Sequence, residues 1–184
     1  MTENLEKRVH DYSLRVIEIL CPNVILGRKG NVPDTVIFAS IDDKNFHERF
    51  LDGAFGKAPH YVILRDGTVL NYISVTDSSS YFTTSPLSDN ENYFAKAKGL
   101  VSFRPVNVAL YSVSVLVEGS DVNDEQLLAA AALLRLISMK FIRVYRKKLP
   151  PDVNHIIPAT ALSSKYSFGA KIEDILELFK KKPI

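Results

Sequence analysis

The feature that most constrains the fold of this chain is a β-hairpin signal in residues 60–73. Two apolar runs of strand length, residues 60–64 and 69–73, flank the turn sequence Arg-Asp-Gly-Thr at positions 65–68. The dipeptide Asp66-Gly67 favours a tight turn, because both residue types tolerate the backbone angles that reverse a chain between strands. The sequence therefore predicts two adjacent antiparallel strands in this region.

Further strand-like runs alternate with helical patterns along the chain. Residues 35–40, 106–117 and 153–157 are apolar and rich in β-branched side chains, which is typical of strands. Apolar residues spaced by three and four predict helices over residues 5–19, 42–51, 123–146 and 172–181. This order predicts an α/β fold with a single mixed central β-sheet of about five or six strands, flanked by helices.

Composition limits the class of protein. The 184 residues include 23 Lys and Arg against 21 Asp and Glu, a formal net charge of +2. A balance so near neutral excludes a broad electrostatic grip on nucleic acid, so we expect no nucleic-acid partner. Apolar residues make up 46% of the chain, enough for a packed core, and we expect one domain over residues 1–184. A single cysteine, Cys21, builds neither an internal disulfide nor a thiolate zinc site.

Charge placement bears on location and on surfaces. Residues 1–20 are charged throughout and lack the basic-then-apolar layout of a secretory signal. The most apolar long stretch, residues 127–145, contains Arg135, Lys140 and Arg143, which indicates a buried helix and not a membrane span. We expect a soluble cytoplasmic protein with no membrane partner. The basic runs at 143–148 and 180–182 predict a solvated helix end and tail, or alternatively an anion-binding patch.

Sequence blocks in this order resemble the zinc-dependent N-acetylmuramoyl-L-alanine amidases, which include amidase-type phage lysozymes and peptidoglycan-recognition proteins. Residues 58–69, Ala-Pro-His-Tyr-Val-Ile-Leu-Arg-Asp-Gly-Thr-Val, resemble the family's hairpin. Residues 107–119 resemble its following strand, and residues 123–127, Asn-Asp-Glu-Gln-Leu, resemble the start of its long helix. Residues 153–169 resemble its later histidine-containing segment. The resemblance covers roughly residues 33–180 and implies the family's fold.

The resemblance also implies a zinc site that this sequence lacks. In the family, zinc is held by a His ending the first strand, a His in the later segment and an Asp, His or Cys after it. Zinc held in this way activates a water molecule. The first position falls on Ala39 or Ser40 and the third on Ser167, none of which is a useful zinc ligand. The second falls on His155, and a Tyr of catalytic members falls on Pro59.

One imidazole does not hold zinc, so we expect no cofactor and no zinc-catalysed hydrolysis. The alternative is an active peptidoglycan amidase whose metal site is rebuilt by His47, on the helix predicted after the first strand, together with His155. The hairpin residue His60 is interpreted as a part-buried structural residue, with a catalytic role as the alternative, and it is also counted among the expected ligand-binding residues.

A fold without its catalytic residues leaves binding as the expected function, and two classes of partner stay open. One is a small ligand, muropeptide-like or anionic and nucleotide-like, such as an immune signal sequestered by a phage protein. The other is a partner protein that the chain binds or inhibits as a scaffold. A long insertion, residues 78–104, bears on the choice because it carries Tyr81 and Phe82. Such rings stack on a ligand, anchor an interface or pack on the body.

We expect a small ligand to lie outside the strand ends, where the vestigial zinc site would be. Replacing ligands by small neutral residues leaves a pocket that suits a polar or anionic group, with Lys165 supplying charge and His155 and the serines supplying donors. The expected ligand-binding residues are Ala39, Ser40, His60, Tyr81, Phe82, Asn107, His155, Lys165 and Ser167.

Overall fold

The computed structural model describes residues 3–54, 56–82 and 108–181 of the chain. Within these residues, six strands form one sheet in the order β1-β4-β3-β5-β2-β6. Every neighbouring pair is parallel except the hairpin pair β3 and β4. The strands are β1 Val16–Glu18, β2 Thr35–Ile41, β3 Tyr61–Ile63, β4 Val69–Asn71, β5 Ser112–Glu118 and β6 Ile156–Pro158. The predicted mixed sheet and the hairpin are confirmed.

Helices lie on both faces of this sheet. They are α1 Glu3–Asp11, α2 Phe46–Leu51, α3 Val108–Tyr111, α4 Asp124–Tyr145 and α5 Ile172–Lys181. Buried residues of α1, α4 and α5 share one hydrophobic cluster with Val36 and Phe38 of β2. Buried residues of α2 share a second cluster with Ile37 and Ala39. Successive side chains of a strand point to opposite faces, so we name these the α4 face and the α2 face.

Helix α4 has strong local signals at both ends, which explains why the sequence predicts it well. The Asn123 side chain accepts from the backbone N–H of Gln126 at 2.9 Å, and the Gln126 side chain accepts from the N–H of Asn123 at 3.1 Å. This reciprocal cap satisfies donors that the first turn would otherwise leave unpaired. Arg146 ends the helix with a φ of 57°. Neither α4 nor any other helix of the described residues is long and apolar enough to cross a membrane.

The N-terminal segment differs from the helix predicted over residues 5–19. Helix α1 ends at Asp11, and Val16–Glu18 form a strand that pairs in parallel with β4. Val16 packs on the α4 face and Ile17 on the α2 face. Helical spacing alone could not reveal this, because the pairing partner lies more than 50 residues further along the chain.

The sheet topology singles out the carboxyl ends of β2 and β5. The chain leaves β2 through α2 and crosses to β3, whereas it leaves the adjacent β5 through α4 and crosses to β6 on the other face. When connections diverge from neighbouring parallel strands, a crevice opens outside their carboxyl ends, and ligands of open α/β sheets bind there. This edge is therefore the place to look for a site.

Candidate functional site

A cleft of about 270 Å³ lies at this divergence, and we call it the carboxyl-edge cleft. It is formed by the segments that follow β2, β3 and β5. Such a volume lies just below the usual range of about 300–1,000 Å³ for small-molecule sites. The residues that line it are Ile41, Asp42, Asp43, Lys44, Arg65, Glu118, Gly119, Ser120 and Asp121.

Arg65 forms a fixed wall of the cleft. Its backbone N–H donates to Glu118 Oε2 at 2.8 Å, and its Nη1 donates to the Asp121 carbonyl at 2.6 Å. The guanidinium also lies 3.3 Å from the Asp121 carboxylate, and its hydrogen bond holds the pKa of Asp121 below the usual value. Arg65 and Asp121 therefore neutralise each other.

The remaining charges of the cleft are of both signs. Asp43 is paired with Arg49 at 2.5 Å, and its pKa is lowered first by the N–H of Asn45 and then by Arg49. Asp42 and Lys44 are exposed and form no ion pair with another described residue. The cleft thus presents an unpaired carboxylate and an unpaired ammonium, an arrangement that suits a ligand carrying both charges.

Ser40 and Ser167 lie together beside this cleft, as the sequence predicted. The N–H of Ser40 donates to the Ser167 carbonyl at 2.7 Å, and the N–H of Gly169 donates to Ser40 Oγ at 3.0 Å. Gly169 is packed against the backbone of Ser120, where a Cβ would collide. The ammonium of Lys165 lies 4.9 Å from the centre of the Tyr166 ring.

His155 does not join this group, which corrects the predicted arrangement. Its carbonyl accepts from the N–H of Val36 at 2.8 Å, at the amino end of β2. Ser40 lies four residues further along β2, about 13 Å away at the usual strand rise. The imidazole instead contacts Asp152 at 2.8 Å. Ile157 pairs with Ile37 and is the β6 residue that shares the α2 face with Ala39.

Tyr81 and Phe82 pack on the α2 face. Phe82 is 3% exposed, and its ring meets that of Tyr166 edge-on at 5.2 Å. Tyr81 meets Phe50 edge-on at 5.7 Å, and burial raises its pKa to about 12. Phe82 belongs to the hydrophobic cluster that also contains Ala39, and Tyr81 packs against that cluster, so packing on the body describes Phe82 in this structure. A ligand contact by Tyr81 stays a prediction.

His60 is fully buried and directly precedes β3. Ser114 N–H donates to its Nδ1 at 3.0 Å, and Arg28 Nη2 lies 2.9 Å from its Nε2. Burial and then the charge of Arg28 lower the pKa of His60 to about 3. A neutral, enclosed imidazole of this kind supports structure. Asn107, also predicted to contact a ligand, lies outside the described residues, as does the insertion after Phe82.

The described residues do not fit a catalytic zinc ion. Within them, no three His, Cys, Asp or Glu side chains converge as a metal site requires. His47 Nδ1 lies 2.5 Å from the Tyr72 hydroxyl, whereas His155 is held by Asp152 at the other end of β2. The predicted alternative, a site rebuilt from His47 and His155, gains no support from this placement.

Sequence reasoning missed the charged residues of the cleft. Asp42, Lys44, Arg65 and Glu118 were not among the expected ligand-binding residues, although the last two lie within blocks of the family resemblance. A usable signal did exist, because each follows the end of a predicted strand, and the carboxyl ends of parallel strands meet at one edge.

The fold built from these elements is that of the N-acetylmuramoyl-L-alanine amidases. AmpD is 11% identical to this chain, with a TM-score of 0.63, and the match covers 91% of this chain and 96% of AmpD. The amidase LysC from Clostridium intestinale is 14% identical with a TM-score of 0.56, covering 92% of this chain and 100% of LysC.

A third structural neighbour is the Staphylococcus aureus hydrolase AmiA, solved in complex with its ligand. It is 9% identical, with a TM-score of 0.61, and the match covers 98% of this chain and 90% of AmiA. No family profile matches the sequence, and no curated protein matches it. At these identities the likeness shows the fold alone.

Proposed function

We propose that this chain is a non-catalytic protein with the amidase fold, and that it binds a small muropeptide-like ligand at the carboxyl-edge cleft. One observation carries the proposal. Of the three places where the resemblance puts zinc ligands, the first falls on Ala39 or Ser40 and the third on Ser167, and only the second holds a histidine, His155, which contacts Asp152 away from the other two. Hydrolysis of an amide by zinc needs an open coordination site with activated water, and the absence of three converging His, Cys, Asp or Glu side chains among the described residues supports a non-catalytic protein.

The charges of the cleft favour a muropeptide over a nucleotide-like ligand. A muropeptide whose peptide part includes a diamino acid carries both a carboxylate and a free amine. Lys44 would bind the carboxylate, and Asp42 and Glu118 would bind the amine. The charged groups of a nucleotide are its phosphates, which are all negative, and the carboxylates of the cleft would repel them. The structural neighbours named as N-acetylmuramoyl-L-alanine amidases support the same choice of ligand class.

Absence of zinc catalysis is tested by metal content and product analysis. We expect protein purified without chelator to hold well under one zinc per chain. With added zinc, it should release no free peptide from N-acetylmuramoyl peptides, as measured by chromatography and mass spectrometry. The opposite result would be one zinc per chain that is lost in His155→Ala or His47→Ala, together with cleavage of the muramoyl–alanine amide. That result would establish the alternative, an active peptidoglycan amidase.

Ligand binding is tested by thermal shift with N-acetylmuramoyl-L-alanyl-D-isoglutaminyl-L-lysine, which carries both a free carboxylate and a free amine. A ligand at 100 times its Kd stabilises the folded state by about 2.7 kcal/mol, so the midpoint should rise with ligand concentration. Lys44→Ala and Glu118→Gln should each weaken binding roughly tenfold, since a charged hydrogen bond contributes about 1.5–3 kcal/mol. Lys57→Ala, another exposed lysine, is the matched control. No shift for the wild type, or equal losses in the control, would contradict the proposed ligand.

A protein partner is a second candidate, supported by one surface feature. Leu20 is 97% exposed and Leu26 is 82% exposed, and both flank the segment that Cys21 and Asn23 anchor to α2. Large exposed leucines close in sequence are typical of contact surfaces. The test is recovery of a partner protein by affinity purification with the wild type and with the double variant Leu20→Ser and Leu26→Ser. A partner that is recovered with the wild type and lost with the variant, in a protein that binds no muropeptide, would favour this class.

A further inference from the structure

The carboxyl end of α4 carries an exposed cluster of positive charge. Arg143, Arg146, Lys147 and Lys148 are all exposed, and we call them the basic end. None of the four forms a hydrogen bond through its side chain or an ion pair with another residue in the described ranges. One or two cations are enough to complement the helix dipole at this position. Four unpaired cations within six residues exceed that need.

This cluster stands out against the charge of the rest of the chain. The formal net charge is +2, so removing these four charges leaves −2 for the other 180 residues. These four residues therefore account for the net positive charge, and the rest of the chain is net acidic. A near-neutral total conceals this separation, because net charge carries no information on where charges lie.

Apolar side chains are exposed on the same helix face. Met139 is 49% exposed and Val144 is 47% exposed, on either side of Arg143. At 3.6 residues per turn, these three residues fall within an arc of about 140°. Lys140, on the same arc, donates to the Tyr61 hydroxyl at 3.3 Å and is not counted among the unpaired cations.

We propose that the basic end binds the surface of an anionic lipid bilayer, which would revise the sequence-based expectation of no membrane partner. Cations next to a membrane bind the phosphates of acidic lipids, each contributing about fivefold to partitioning. Met139 and Val144 would contact the boundary between headgroups and acyl chains. A nucleic-acid backbone would use the same cations but has no surface that rewards the exposed methionine and valine, so the lipid surface accounts for more of the observed residues.

The geometry separates this surface from the carboxyl-edge cleft. Helix α4 has 22 residues, with Asn123 as its N-cap, and the cleft residue Asp121 lies just before that cap. The helix is about 33 Å long, so Asp121 and the basic end lie at opposite ends of it. Each surface can therefore be changed without touching the other.

Vesicle sedimentation of the full chain tests the proposal. We expect the wild type to sediment with vesicles of equimolar phosphatidylcholine and phosphatidylglycerol, and not with phosphatidylcholine alone. The double variant Arg143→Gln and Lys147→Gln should lose roughly 25-fold in partitioning, at about fivefold for each charge. The matched control, Lys57→Gln with Lys171→Gln, removes the same charge elsewhere and should sediment like the wild type. Thermal melts of all variants establish that they are folded.

The apolar contribution has its own variant. The double variant Met139→Ser with Val144→Ser keeps every charge. High salt screens the electrostatic attraction, so the vesicle binding that remains there depends on the apolar contact. We therefore expect this variant to lose vesicle binding at high salt. Equal sedimentation with neutral and anionic vesicles, or equal losses in the control pair, would overturn the proposal. So would tight binding of duplex DNA in fluorescence anisotropy without sedimentation on vesicles, which would assign the basic end to nucleic acid. Muropeptide binding measured on the same variants reports separately on the proposed function.

Discussion

Arg28 and His60 place a charged and a neutral polar side chain side by side in the interior. Arg28 donates to the carbonyls of Val75 at 2.8 Å, Ala109 at 2.9 Å and Ser112 at 3.0 Å. Burial lowers the pKa of Arg28 to about 10, which still leaves it charged at neutral pH. The guanidinium therefore joins the backbone at Val75 to the backbone of residues 109–112, and its charge helps to keep His60 neutral.

This pairing predicts a pH dependence of stability. The pKa of His60 is about 3 in the folded protein against 6.5 for an unperturbed histidine. A depressed pKa means that the unfolded chain takes up the proton first as pH falls. The stabilisation is therefore complete above pH 6.5 and is lost progressively towards pH 3, at up to about 1.4 kcal/mol per pH unit.

Urea unfolding between pH 7 and pH 4 measures this slope. The variant His60→Gln removes the titrating group, so its free energy of unfolding should start lower and vary less with pH over that interval. Replacing the exposed His10 by Gln serves as the control and should keep the wild-type slope. Identical slopes for wild type and His60→Gln would show that another group governs the acid sensitivity.

At the scale of elements, local signals determined what the sequence could predict. The hairpin has its Asp66-Gly67 turn and α4 has its reciprocal cap, and both signals lie within a few residues. Strand β1 has three residues, and its pairing partner β4 lies more than 50 residues away. Its residues therefore look like the continuation of a helix until the sheet is assembled.

The candidate site shows the same division between local and distant information. Ser40 and Ser167 were expected together and meet through a backbone hydrogen bond. His155 was expected beside them, yet the register of β6 against β2 places Ile157 nearer to Ala39 on the α2 face. A strand register follows from tertiary pairing, and a motif with altered spacing does not reveal it.

The packing of Phe82 yields a prediction at this scale. Because Phe82 is buried against Tyr166 and the α2 face, Phe82→Ala should lower the free energy of unfolding by about 3 kcal/mol, through lost burial and the cavity left behind. Urea denaturation measures the change. Leu20→Ala, at an exposed position, should stay within about 0.5 kcal/mol of the wild type. An unchanged stability for Phe82→Ala would mean that the ring is available to a ligand.

At the scale of the whole molecule, topology and charge distribution act together. Divergent connections from β2 and β5 create the carboxyl-edge cleft, where carboxylates outnumber cations. Helix α4 carries the chain from that edge to the opposite one, where the basic end lies. Composition predicts neither feature, since a net charge of +2 is compatible with any arrangement of the charges.

The separation of these two surfaces predicts that they act independently. Sites about 30 Å apart with no shared partner usually contribute additively. Lys44→Ala should therefore weaken muropeptide binding by the same factor with and without anionic vesicles. Arg143→Gln with Lys147→Gln should reduce vesicle binding by the same factor with and without muropeptide. Calorimetric titration of muropeptide into the wild type and both variants, each with and without vesicles, measures the coupling. A change of more than about threefold in either factor would mean that the two ends of α4 are coupled, because linkage between two ligands is reciprocal.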